Sequence, residues 1–255
     1  MKKKLILTFM MLFLVSFLSV HPIFAATADP IPNIDIQIGN NDNAADGPAT
    51  SSLSILLLIT LISIAPSFLV LMTSFTRIVI VLSFVRTSLG TNQMPPNQVL
   101  VGLALFLTIF IMSPTLSQMN QTALQPYLKG DISQTQALSA AEKPIKEFMF
   151  KHTREKDLLL FLEYTGTAKP KNVEDIPLTV MVPSYAISEL KTAFQMGFMV
   201  FIPFLVIDIV VASVLMAMGM MMLPPVMISL PFKILLFVLV DGWYLIVKSL
   251  LISFN

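Results

Sequence analysis

The chain has 255 residues, of which 55% are hydrophobic and only 12% charged, with a formal net charge of +1 and a mean hydropathy of +0.81. That balance places it among membrane proteins and gives it no basic field with which to bind nucleic acid. It has no cysteine, which excludes disulfides, thiolate catalysis, iron–sulfur clusters and Cys-type zinc sites.

Residues 1–28 read as a secretory signal peptide: Lys2, Lys3 and Lys4 precede an apolar core, then Pro22 and the small residues Ala25, Ala26 and Ala28. Residues 29–52, rich in Pro, Asn, Asp and Gly, read as a flexible leader. A first helical hairpin region is expected over 53–112. Its opening apolar stretch, 53–72, is long enough to cross a bilayer, with Pro66 as a kink. The polar break Thr73-Ser74-Phe75-Thr76-Arg77 separates it from a second apolar piece over 78–85 that stops at Arg86. The two pieces together suggest one long, interrupted helix. Gly90 and Pro95-Pro96 then mark a turn, and 99–112 is apolar but short for a full span.

Over 113–192 basic and acidic residues balance, as in a soluble domain. An amphipathic helix is expected over 143–164, with Pro144 in its first turn. The charged run Lys151 to Asp157 is expected as a solvated helix face, and Ser188 as the cap of a helix starting near Glu189. A second helical hairpin should fill 193–255, with Pro203 and Pro231 inside its arms.

Between those arms lies Met216-Ala217-Met218-Gly219-Met220-Met221-Met222-Leu223-Pro224-Pro225. Consecutive residues on a helix point about 100° apart, so no single apolar stripe accounts for the triplet. Gly219 and the paired prolines predict a loop. Met220, Met221 and Met222 are therefore candidates for a pore gate, because unbranched thioether arms can seal a hole yet deform around cargo. Lipid-facing filler is the plainer alternative in a chain with 17 Met.

Asp208, Lys233 and Asp241 sit inside apolar sequence, where an unpaired charge facing lipid is costly, so each is expected to have a partner. If the chain folds back around Met222, Asp208 and Lys233 lie within roughly 5 Å in depth, close enough to pair. The pair can serve packing, within or between copies, or an ion or proton relay. Arg77 and Arg86 are nine residues apart and fall on opposite faces of one helix, which predicts different partners; Arg86 can simply snorkel to the interface.

Charge placement gives an orientation: with the mature N-terminus outside, Arg77 and Arg86 fall on an inward connection, 113–192 lies outside, and the methionine loop returns to the cytoplasmic side. Enzymatic chemistry is not expected, since His21 belongs to the signal, His152 stands alone, and neither a Gly-x-Ser-x-Gly elbow nor a phosphate-binding glycine loop is present. In the outer domain, Phe148 and Phe161 on a charged segment, with Glu189 and Lys191 at its junction with the third apolar stretch, are candidate oligomer contacts; burial in the chain's own core is the alternative for the phenylalanines.

Three stretches carry a family resemblance: 69–77 (LVLMTSFTR), 90–99 (GTNQMPPNQV) and 189–198 (ELKTAFQMGF), together with the block from Phe201-Ile202-Pro203-Phe204 through Asp208, the methionine triplet and Pro231-Phe232-Lys233 to Val240-Asp241-Gly242-Trp243. In these the chain resembles the FliP family of the bacterial flagellar type III export gate, over nearly all of the mature sequence. The resemblance implies an all-α membrane protein built of proline-broken helical hairpins with a helical extracytoplasmic domain, assembling into a helical oligomeric pore. It implies a homo-oligomer, expected as a pentamer, with FliQ and FliR, near FlhB and FlhA, passing unfolded flagellar subunits across the cell membrane at the basal body. Under it the methionines at 220, 221 and 222 match a gasket loop, Asp208 and Lys233 match charged packing positions, and no cofactor is implied. It also implies that much apolar helix surface packs on neighbouring subunits instead of on lipid. A small-solute or ion transporter with broken helices is the competing class.

Overall fold

The structure, a computed structural model, describes residues 48–91, 93–166, 170, 172–220 and 222–254. The signal peptide, most of the leader, and Met221 lie outside the described residues. The chain divides into two units, Met1–Leu61 and Ile62–Asn255; of the first, only the helical stretch from Pro48 is described.

Every regular element among the described residues is helical. The α-helices are α1 (Pro48–Met72), α2 (Phe75–Leu89), α3 (Asn97–Met119), α4 (Gln125–Lys129), α5 (Gln134–His152), α6 (Glu155–Thr165), α7 (Leu178–Ala217), α8 (Pro225–Leu239) and α9 (Gly242–Ile252). Helix α1 begins inside the expected leader and runs unbroken through Pro66. It ends at Thr73-Ser74, and the Leu58–Met72 segment meets α2 at 69°, so the first interrupted helix is a bent pair. A second bent pair, α8 and α9, turns by 62° at Val240-Asp241. There Asp241 takes the left-handed conformation, φ 51°.

The apolar run at 99–112 proved longer than its composition suggests. Helix α3 continues through a π-helical turn, Asn120–Leu124, into α4, giving 33 residues, Asn97–Lys129, which suffices for a full span. Polar Ser113, Ser117 and Gln118 lower the hydropathy there without stopping the helix, which also runs through Pro114 although that residue has no N–H to donate. Helix α7 is 40 residues long. At about 1.5 Å per residue it extends roughly 60 Å, about twice the hydrocarbon thickness of a bilayer, so one helix is long enough to cross a membrane and continue well beyond it. Among the described residues two helices are thus long and apolar enough to cross a membrane, or up to four if each bent pair is one span.

Three expectations for 113–192 are corrected. The amphipathic stretch 143–164 is two helices, α5 and α6, divided at Thr153-Arg154, and α5 starts earlier, at a capping box made by Ser133 and Gln136. Pro144 therefore sits in mid-helix, and the run from Lys151 to Asp157 is a helix junction instead of a solvated face. Ser188 does not cap its own helix, which begins ten residues earlier at Leu178. Its hydroxyl accepts the Arg154 N–H (3.1 Å) and donates to the Asp157 carboxylate (2.7 Å), so it caps α6 from across the interface.

Apolar burial falls into two clusters. One packs Ile78, Val81, Leu82 and Val85 of α2 against α3, α7, α8 and α9. The other, around Met149, Leu162, Met181 and Tyr185, ties α5 and α6 to the first half of α7.

Candidate functional site

Helix α7 ends in a Schellman motif. The Met220 N–H donates to the Leu215 carbonyl and the Gly219 N–H to that of Met216, with Gly219 left-handed at φ 76°. Pro224 and Pro225 then start α8, Pro225 at a first-turn position where its missing N–H costs nothing. The tip between them is the expected methionine loop. Met222 is 98% exposed and Met220 47% exposed, while Met216 and Met218 flank them on the surface. Large apolar side chains that project without a partner offer contact area to something else.

Behind the loop the hairpin arms are joined by charge. Lys233 of α8 bonds Asp208 of α7 at 2.6 Å, and its ammonium also donates to the Ser88 carbonyl of α2 at 3.2 Å. The second Asp208 oxygen accepts the hydroxyl of the fully buried Ser229. A Cβ at Gly90 would meet the Lys233 ammonium at 3.8 Å, so the α2 C-terminus closes the site. Ser229 lies one turn before Lys233 on the same face of α8, a spacing legible in sequence; Ser88 enters through its backbone, which side-chain reasoning does not reveal.

A second buried pair ties α2 to α7. The Arg77 guanidinium forks onto Glu189, Nε to Oε2 at 2.8 Å and Nη2 to Oε1. Its Nη1 reaches the Ser253 carbonyl (2.9 Å) and hydroxyl (3.0 Å) beyond α9, and the Phe254 ring lies 3.8 Å below the guanidinium carbon. Glu189 is completely buried. Within the chain it is taken up by Arg77, whereas Lys191, the other charged candidate at this junction, is exposed. Phe148 is half-buried beside Tyr185, His152 and Phe254 in the same chain, and Phe161 packs partly against the cluster around Met149 and Tyr185.

Arg86, on the opposite face of α2 from Arg77, bonds Asn97 and the Pro95 carbonyl across the turn, so it fastens the α2–α3 connection instead of snorkelling. Asp241 departs from expectation as well: among the described residues its carboxylate has no ion pair or hydrogen bond, and the residue serves as the exposed hinge between α8 and α9. His152 places Nδ1 2.8 Å from the Phe148 carbonyl and Nε2 3.4 Å from that of Phe254. Burial, aided by the Arg77 charge, holds its pKa below the ordinary histidine value. On the exposed flank, the Lys143 and Glu174 charges face each other at 2.6 Å, raising the pKa of the first and lowering that of the second.

A model of the FliP family matches residues 58–250. The chain belongs to the FliP family. It is 71% identical over 205 residues to the flagellar biosynthetic protein FliP of Bacillus subtilis (strain 168), an alignment covering 80% of this chain and 93% of that relative. It is 47% identical over 227 residues to the Aquifex aeolicus (strain VF5) protein of that name, covering 88% and 92%. To the Pectobacterium carotovorum subsp. carotovorum protein it is 54% identical over 205 residues, covering 80% of each. Membership in this family implies a place in the flagellar export apparatus, and it agrees with a chain whose apolar helices can span a membrane.

Proposed function

We propose that this chain is a non-enzymatic, pore-forming subunit of the flagellar protein-export gate. Several copies, with FliQ and FliR and beside FlhB and FlhA, would pass unfolded flagellar subunits across the bacterial cell membrane at the basal body. The observation that carries the reading is the methionine loop: a helix cap and a proline pair hold flexible apolar side chains out at the tip of a hairpin whose arms are fastened by the buried Asp208–Lys233 pair. A tip of this kind, repeated around an axis, makes a soft constriction that excludes water and ions yet costs little to deform. The charges inside the apolar helices that would motivate a solute transporter are in large part satisfied by one another, Asp208 by Lys233 and Arg77 by Glu189.

Replacing Met220, Met221 and Met222 together by Ala should give gates that assemble but leak small ions, measured as conductance across membranes holding gates of verified assembly. Leu at the three positions should seal but slow passage, because branching stiffens the contact. A triple Ala variant that assembles and stays as tight as the parent would sink the reading.

A further inference from the structure

Ser229 lies one helical turn before Lys233 on α8 and is fully buried, and it too bonds the Asp208 carboxylate. The two α8 groups take different oxygens, Lys233 the Oδ2 at 2.6 Å and Ser229 the Oδ1. A carboxylate held through one oxygen still turns about its side-chain torsions, whereas one held through both has a single orientation. The ion pair joins α7 to α8, and the hydroxyl fixes the angle at which they meet. Pro225 opens α8 only one turn before Ser229, so that angle sets where the methionine loop stands.

A hydroxyl has one proton to donate, and Ser229 has two acceptors within reach: the Asp208 carboxylate and, at 3.1 Å, the Val226 carbonyl of its own helix. The charged oxygen is the stronger acceptor and wins while the hairpin is closed. If Asp208 turns away, the hydroxyl falls back on Val226, so parting of the arms leaves no buried donor unsatisfied. The Asp208 side chain is 22% exposed and can turn to water. Lys233 meanwhile keeps the Ser88 carbonyl at 3.2 Å, in the last turn of α2 where a cation is favoured. Each of the three groups has a second partner.

We propose that Ser229 is the positioning residue of the methionine loop. Its hydroxyl, exchanging between the Asp208 carboxylate and the Val226 carbonyl, holds the loop in one place at rest and lets it move aside when a chain pushes through. The consequence for export rests on the reading of the loop as a gate, but the latch itself belongs to a single chain and is measurable there.

Spin labels test it, because the chain has no native cysteine. Lys191→Cys, exposed on α7, and Met222→Cys, at the loop tip, report the loop position over roughly 40 Å along α7. Double electron–electron resonance on the full chain in detergent, diluted with unlabelled chain, should give one narrow distance when Ser229 is intact. Ser229→Ala leaves the Asp208–Lys233 pair in place, and should raise a displaced loop population about tenfold, as expected for loss of one hydrogen bond to a charged group. A second label pair, Gln134→Cys with Lys191→Cys, is remote from the loop and should be unchanged by Ser229→Ala, which separates positioning from general loosening. A Ser229→Ala loop distance that superimposes on the parent's overturns the proposal, and so does equal broadening at the remote pair. In assembled gates Ser229→Ala should also raise resting ion conductance. Loop distances that shift while conductance stays at the parent's level uphold the latch and count against the gate reading.

Discussion

Arg77 spends its planar fork almost completely: two nitrogens on Glu189, the third on both oxygens of Ser253, and its face on Phe254. A buried pair of this kind adds little net stability over an apolar substitute, but removing one partner strands the other charge in a dry site. Arg77→Met should therefore cost about 3–5 kcal/mol in unfolding measured in detergent, and Arg77→Met combined with Glu189→Leu should recover most of it. A single variant as stable as the parent would mean that water reaches Glu189. His152 supplies the pH dependence of the same corner. A neutral ring has one N–H, and the shorter contact, 2.8 Å to the Phe148 carbonyl, assigns it to Nδ1. Because burial lowers the folded pKa below the ordinary 6.5, the unfolded chain binds the proton more readily. The stability His152 contributes is thus complete above about pH 6.5 and is lost as pH falls toward its folded value. His152→Gln should flatten the stability profile over that window, and an unchanged slope between pH 7 and 5 would remove His152 as its source.

Among the elements, α2 and α7 pack so closely that a Cβ at Gly197 would lie 2.5 Å from the Phe84 ring, which itself meets Phe194 edge-on at 5.5 Å. Gly197 belongs here for close approach, not for turning. Gly197→Ala should destabilise the chain by about 1–3 kcal/mol through overpacking, read from its unfolding midpoint, and Phe84→Leu in the same chain should relieve much of it. Additive losses in the double variant would place the cost elsewhere. Helix existence was legible in the sequence because apolar runs, paired prolines and Gly219 act through the local backbone. What was not legible came from contacts between distant segments. Thr153-Arg154 carries no breaker, and the α5–α6 junction is capped by Ser188, 34 residues later in the chain. Glu189 stands beside exposed Lys191 and reads as a polar boundary; only the approach of Arg77, 112 residues away, makes it a buried group. The Asp208–Lys233 pair was legible, since a chain folded at the methionine loop brings those positions to similar depth, whereas the left-handed backbone of Asp241 at the α8–α9 bend carried no sequence signal.

At the scale of the whole molecule, α2 is held to α7 near both of its ends, by Arg77–Glu189 at the start and by the Ser88 carbonyl, Lys233 and Asp208 at the finish. Helix α7 is thereby a continuous strut from the apolar cluster around Tyr185 to the methionine loop beyond Ala217. Its roughly 60 Å exceeds the bilayer core, so the strut should carry its two ends to opposite sides of the membrane. The absence of native cysteine makes this directly measurable. Gln134, exposed at the start of α5, and Met222, at the loop tip, take single cysteines without loss of a buried contact. In intact cells with a permeable outer envelope, an impermeant maleimide should label Gln134→Cys from outside and should reach Met222→Cys only after the inner face is opened. Labelling of both from the same side would fold α7 back within one compartment, and the methionine loop would then have no barrier to guard.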